Sequence, residues 1–194
     1  MSSWESGLWI WSTGFLFAVT HSILASQGCK QWGYRHGLPE PRYRLLYSIF
    51  ALFATAIWIF FIHQLPDAPL YQHDGFIWML MVSVQILGVT VALAAFQPVD
   101  GLVFLGLRKA STGTDPFIVR GIYRWLRHPM YAGVMLILLA MPEQTHNGFQ
   151  FTLIVCAYFI IGSRFEEKRM LKEHPEYVHY QASVAAFIPC KAKR

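Results

Sequence analysis

The chain of 194 residues is 55% hydrophobic and 14% charged, and its apolar residues lie in long blocks rather than at amphipathic spacing. That composition excludes an ordinary soluble domain and places the chain among polytopic membrane proteins. Its 16 Lys and Arg against 11 Asp and Glu need no nucleic-acid partner, because an anionic membrane surface accounts for a basic excess.

Five spans are expected, near residues 8–26, 45–65, 76–97, 129–142 and 148–163. The first Lys or Arg is Lys30, so the opening apolar block lacks the basic flank of a signal peptide and reads as a retained span. All basic residues fall between spans one and two, between spans three and four, or after span five; the start of the chain and the loops at 66–75 and 143–147 hold none. Because Lys and Arg collect in cytoplasmic loops, the pattern predicts an N-terminus outside and a cytoplasmic C-terminus. The expected fold is all-α: a helix bundle with about five transmembrane helices and a C-terminal cytoplasmic helical extension, forming one membrane domain over 1–194.

Span one ends with His21 and Ser22, buried polar groups that either satisfy neighbouring helices or line a pocket. The following QGCKQWGYRHGLPEPRYR, rich in Gly, Pro and aromatics, is expected at the interface without a long regular element. Span two has no charge, His63 marks its outer end, and LPDAPLYQHDG after it reads as a connector. Span three carries Ser83, Gln85, Gly88 and Thr90, small and polar residues that suit close helix packing. The apolar stretch Leu102 to Leu107 is too short to cross and is expected to rest in the interface.

Span four is preceded by RGIYRWLRHPMYAG, where Tyr123, Arg127, His128 and Tyr131 crowd a membrane boundary. Such groups are costly to desolvate without partners and so mark a site. Pro129 suits the first residue of a helix, where its missing N–H costs nothing, and Gly133 leaves one side of that helix bare for a ligand or another helix. Met130 to Pro142 offers only about a dozen apolar residues, roughly 18 Å of helix against a core of about 30 Å. Either the helix starts earlier or it is a short tilted partner of span five, and both draw the polar cluster inward.

Span five should continue unbroken into RFEEKRMLKE, leaving Glu166 and Glu167 on its first turn beyond the membrane. Pro175 ends it and starts a second short helix in which Tyr177 and Tyr180 share a face. Three cysteines, Cys29, Cys156 and Cys190, in three separate regions predict no disulfide framework. No G-x-G-x-x-G follows a strand, no P-loop is present, and the scattered histidines lack ligand spacing, so no metal site is expected. A simple Arg–Glu salt bridge at a helix end explains one charged pair but leaves His128, Tyr131 and Gly133 idle.

Arg127-His128-Pro129-x-Tyr131-x-Gly133, a hydrophobic span, Glu166-Glu167, then Tyr177-x-x-Tyr180 and Pro189 resemble the C-terminal signature of the isoprenylcysteine carboxyl methyltransferase and phospholipid methyltransferase superfamily of integral membrane enzymes. THSILAS, PRYRLLY and VDGLVFLGLRK extend the similarity toward the methanethiol S-methyltransferase-like branch, although Thr20 and Ser26 stand where that branch is expected to carry Gln and Arg. The resemblance implies S-adenosylmethionine as cofactor, held within residues 98–194 by Tyr123, His128, Pro129, Tyr131, Gly133, Glu166, Glu167, Tyr177 and Tyr180. Arg127 and Arg164 are the candidate catalytic residues, each able to favour a thiolate acceptor. The acceptor itself, a small thiol or a lipid-soluble molecule, is left open. Two alternatives accompany this reading: an NADPH-dependent membrane reductase of the sterol reductase type, and a non-catalytic membrane subunit.

Overall fold

A computed structural model describes residues 3–108 and 117–189; Lys109, the Ser/Thr/Gly/Asp/Pro run at 110–116 and Cys190 lie outside them. The long apolar blocks are helices with no strongly polar face, as expected where lipid rather than water surrounds the element. They are α1 (Ser3–Ala25), α3 (Glu40–Gln64), α4 (Gly75–Ala94) and α7 (His146–Glu173), joined by the shorter α2 (Gln27–Arg35), α5 (Gly101–Phe104), α6 (Pro129–Leu139) and α8 (Tyr177–Ser183). The four long helices each have the length and hydropathy to cross a membrane, and little of those spans is buried inside the protein. The chain is therefore an integral membrane protein with an all-α architecture.

Two local expectations are amended, and the alternatives for the fourth span are narrowed. The loop after α1 contains the nine-residue α2, started by Ser26, whose side chain accepts the Cys29 N–H. The supposed connector after α3 holds a short strand, β1 (Pro69–Gln72), which pairs with β2 (Glu143–Thr145). The fourth span does not start early: α6 begins at Pro129, has 11 residues, and follows a separate 3₁₀ turn at Gly121–Arg124.

The chain divides into two compact units. The first contains α1, α2, α3, α5 and the start of α7 as far as Ile154. Here Trp58 stacks on Phe17 at 5.3 Å and donates its indole N–H to Thr13 at 3.0 Å. Gly14 permits this approach, since a Cβ there would stand 2.7 Å from the Trp58 ring. His21 bonds the Tyr47 hydroxyl at 2.8 Å, which favours the reading of a satisfied polar group. Buried Asn147 and Ser6 both donate to the Pro66 carbonyl, at 3.1 and 2.9 Å.

The second unit contains α4, the 3₁₀ turn, α6, the rest of α7 from Val155, and α8. Its backbone is the antiparallel pair α4 and α6. At one end the His73 N–H reaches the Pro142 carbonyl at 3.0 Å; at the other the Tyr123 hydroxyl reaches the Ala95 carbonyl at 3.3 Å. Between them Gly88 faces Gly133: a Cβ on Gly133 would sit 2.5 Å from the Gly88 carbonyl and 2.6 Å from the Ala92 nitrogen. Small residues here bring two backbones together in the manner that suits membrane helices, where packing replaces the hydrophobic drive. Gln85, the polar group on this face of α4, is satisfied by the Ile137 carbonyl at 3.2 Å. Because α6 spans only about 16 Å at the helical rise, the 3₁₀ turn makes up height beside the end of α4, and non-helical chain at 125–128 leads from it into α6.

Candidate functional site

His128 is the N-cap residue of α6, but its side chain caps nothing in its own helix. Pro129 follows at the first turn and is buried, removing one of the N–H groups that would otherwise need a cap. The imidazole is thus available to α7. Its Nε2 lies 2.9 Å from Glu167 Oε1 and its Nδ1 lies 3.6 Å from Glu166 Oε2. Tyr131, one turn into α6, donates to Glu166 Oε2 at 3.1 Å.

Arg127 fixes the other side of Glu167, with its Nε 2.8 Å from the same Oε1. Its Nη1 donates to the carbonyls of Gln181, at 3.0 Å, and Val184. A guanidinium at the C-terminal end of α8 satisfies carbonyls that the helix leaves unpaired. Gln181 returns a bond to Glu167 Oε2 at 2.8 Å. Each Glu167 oxygen is therefore occupied, and its side chain is 8% exposed. Glu166 differs: its side chain is 38% exposed, Oε2 is shared by Tyr131 and His128, and no protein group among the described residues bonds Oε1.

The segment after α8 completes the cluster. The N–H groups of Arg127 and His128 donate to Ala185 and Ala186 carbonyls at 2.8 and 3.0 Å, and Leu126 pairs with Ala185 as a parallel bridge. Phe187 then lies 5.6 Å from His128, which stacks on Tyr131 at 5.5 Å, which stacks on Phe159 at 4.6 Å. The result is a row of four rings beside the open carboxylate oxygen. Tyr180 donates to the Tyr123 carbonyl at 2.6 Å, and Tyr177 and Tyr180 both pack against Phe117. Burial pushes the Tyr177 phenol up to about 12, with the Glu167 charge adding to the rise and the Arg127 charge opposing it. Burial, then the Glu166 charge, also raises the Tyr123 phenol.

Of the residues singled out in the sequence, Tyr123, Arg127, His128, Tyr131, Glu166, Glu167, Tyr177 and Tyr180 thus meet in one network at the start of α6. Gly133 meets α4 instead: the bare side anticipated there is filled by Gly88. Arg164 is exposed, and no hydrogen bond or ion pair joins it to the cluster. Gln181 and residues 184–187 were not singled out. The trace of the latter in the sequence is the apolar VAAFIP at 184–189. Among the described residues no group of three or more His, Cys, Asp or Glu is placed to hold a metal ion.

Relatives match most of the chain in sequence. A methanethiol S-methyltransferase of Pseudomonas deceptionensis is 29% identical over 183 residues, covering 90% of this chain and 69% of its own length. Methanethiol S-methyltransferase 2 of Bradyrhizobium diazoefficiens is 30% identical over 186 residues, covering 90% and 70%. A methanethiol S-methyltransferase of Mycobacterium tuberculosis is 26% identical over 185 residues, covering 90% and 74%. No solved structure matches the chain. The family model described as NnrU protein matches residues 10–185, nearly the whole sequence including the His128–Glu167 cluster, and the chain belongs to that family.

Proposed function

We propose that the protein is a membrane methyltransferase that uses S-adenosylmethionine and methylates a small thiol, with its cofactor part within residues 98–194 at the cytoplasmic boundary. The observation that carries this reading is the closure of the Arg127–Tyr131 segment onto the Glu doublet, leaving Glu166 Oε1 open beside a row of aromatic rings. The methanethiol S-methyltransferase names of the relatives support the acceptor class, and the placement of Lys and Arg supports the side.

The donor set suits the cofactor. A carboxylate with one open oxygen takes an ammonium or vicinal hydroxyls, and ring faces attract a positive centre such as a sulfonium. When bound, S-adenosylmethionine supplies a methyl group already activated on sulfur. Glu166 binds, Tyr131 and His128 orient it through their contacts with Glu166, and Phe187 and Phe159 exclude water from the row's ends. Arg127, Glu167, Gln181 and Tyr180 hold that arrangement in register. The acceptor thiol gives up its proton to solvent, and its sulfur forms the new bond to the methyl carbon as the donor's C–S bond breaks and S-adenosylhomocysteine leaves, so the protein supplies alignment and dryness rather than a covalent nucleophile. Arg127, one of the two candidate catalytic groups, spends its charge on Glu167, which argues for a positioning role. Arg164 is too far outside the network to be assigned one.

The test is incubation of the detergent-solubilised protein with methyl-labelled S-adenosylmethionine and methanethiol. Labelled dimethyl sulfide in the headspace is the expected result. Calorimetric binding of NADPH with no binding of S-adenosylhomocysteine would overturn the reading in favour of a reductase.

A further inference from the structure

Arg164 belongs to a different feature of α7. Beyond Val155 the helix presents one exposed apolar side that includes Ile160, Ile161 and Phe165, exposed by 45%, 57% and 66%. Arg164, Lys168 and Lys172 continue along that side, four residues apart and all exposed. At the helical rise their Cα atoms cover about 12 Å along the axis. Lys168 Nζ stands 5.8 Å from the centre of the Phe165 ring, folded back against the apolar surface as a boundary lysine does.

Two further observations bear on the charge of this stripe. Arg44, Arg108 and Arg127 each face a carboxylate, respectively Glu40, Asp100 and Glu167, whereas among the described residues Arg164, Lys168 and Lys172 face none. The carboxylates of α7 itself do not pair with the stripe: at about 100° per residue, Glu166 and Glu173 project roughly 160° and 140° away from Lys168, and Glu167, roughly 60° from Arg164, is held by Arg127. Three cations without a carboxylate partner among the described residues thus follow directly on the exposed apolar side of α7, the order in which a membrane-crossing helix passes from lipid chains to lipid phosphates.

We propose that this side of α7 is a docking site for an anionic phospholipid, its acyl chains along Ile161 and Phe165 and its phosphate held by Arg164, Lys168 and Lys172. The forked guanidinium suits a phosphate bidentately and the two ammonium groups add point charges. This site is separate from the methyl-transfer reading and stands or falls without it.

Native mass spectrometry of the protein released from nanodiscs of mixed phosphatidylcholine and phosphatidylglycerol tests the proposal. The wild-type chain should keep phosphatidylglycerol in preference to phosphatidylcholine. The Arg164→Gln/Lys168→Gln/Lys172→Gln variant should lose that preference, by about fivefold per cation and roughly 100-fold in total, while Arg35→Gln/Arg42→Gln keeps it. Should the triple variant fold poorly, the wild type alone decides: its phosphatidylglycerol retention should fall as NaCl rises from low to high concentration. Equal retention of the two lipids by the wild type, salt-independent retention, or a folded triple variant that keeps the preference would each overturn the site.

Discussion

Arg127→Leu is the perturbation that separates a built network from a chance contact. The change removes the permanent cation paired with Glu167, whose side chain is 8% exposed, while Arg127 itself is 12% exposed. It also strips donors from the Gln181 and Val184 carbonyls, leaving Glu167 with His128 Nε2 and Gln181 Nε2 alone. Breaking one partner out of a buried pair costs about 3–5 kcal/mol, because the remaining charge stays desolvated. At about 2–4 °C per kcal/mol for a chain of this size, the melting temperature should drop by roughly 6–20 °C. Tryptophan-fluorescence melting in detergent reads this directly. The double variant Arg127→Leu/Glu167→Leu should recover part of the loss, since it removes the stranded charge, although His128 and Gln181 then lack their acceptor. A single variant melting within about 2 °C of wild type, or a double variant as unstable as the sum of its singles, would refute the coupling.

Glu166→Gln should leave the melting temperature unchanged and weaken S-adenosylhomocysteine binding about 10- to 100-fold, the loss of one charge-assisted contact of about 1.5–3 kcal/mol, measured by calorimetry. Gly133→Ala should destabilise by about 1–3 kcal/mol, because the new methyl meets the Gly88 carbonyl, a backbone atom that cannot swing aside; the melting curve checks it. The Tyr177 phenol, held near 12 by burial, keeps its proton in the folded chain after the unfolded chain has lost it. Its contribution is complete below about pH 10 and falls as pH rises from about 10 toward its raised value; Tyr177→Phe should flatten that part of the alkaline melting profile. Cys29, in the basic segment after α1, should react with a membrane-impermeant maleimide in intact cells only after permeabilisation; labelling without it would reverse the proposed orientation.

The spans were readable because a block of apolar residues as long as α3 or α4 has one use in a chain this poor in charge. The cluster was readable for a related reason. α6 and α7 follow one another with only the short β2 between them, so residues at the start of the first and near the end of the second are brought to the same end. The strands were not readable: PLYQ and EQT are too short for alternation to register. The bareness of Gly133 was legible, but its occupant was not, since nothing local distinguishes a glycine kept for a ligand from one kept for Gly88. Gln181 and the Ala185–Ala186 carbonyls escaped because they act through a chain reversal after α8, and backbone acceptors leave no mark on residue type.

Glu166 and Glu167 look interchangeable in sequence, yet successive residues on a helix point about 100° apart, and here that angle separates two tasks. Glu167 turns toward Arg127 and Gln181 and becomes buried, where an ionised group survives only with full compensation. Glu166 turns toward His128 and Tyr131, the middle rings of the aromatic row, and keeps one oxygen without a partner among the described residues. A single carboxylate could not do both: a group fixed by three donors has no capacity left for a ligand, and a group left open cannot hold a boundary segment in place. The short α6 favours the arrangement, because it leaves Arg127 and His128 outside any helix, and non-helical chain at a membrane edge must find partners for its backbone as well as its side chains. The residue 184–187 segment supplies the first and Glu167 the second, leaving Glu166 as the carboxylate available to whatever binds.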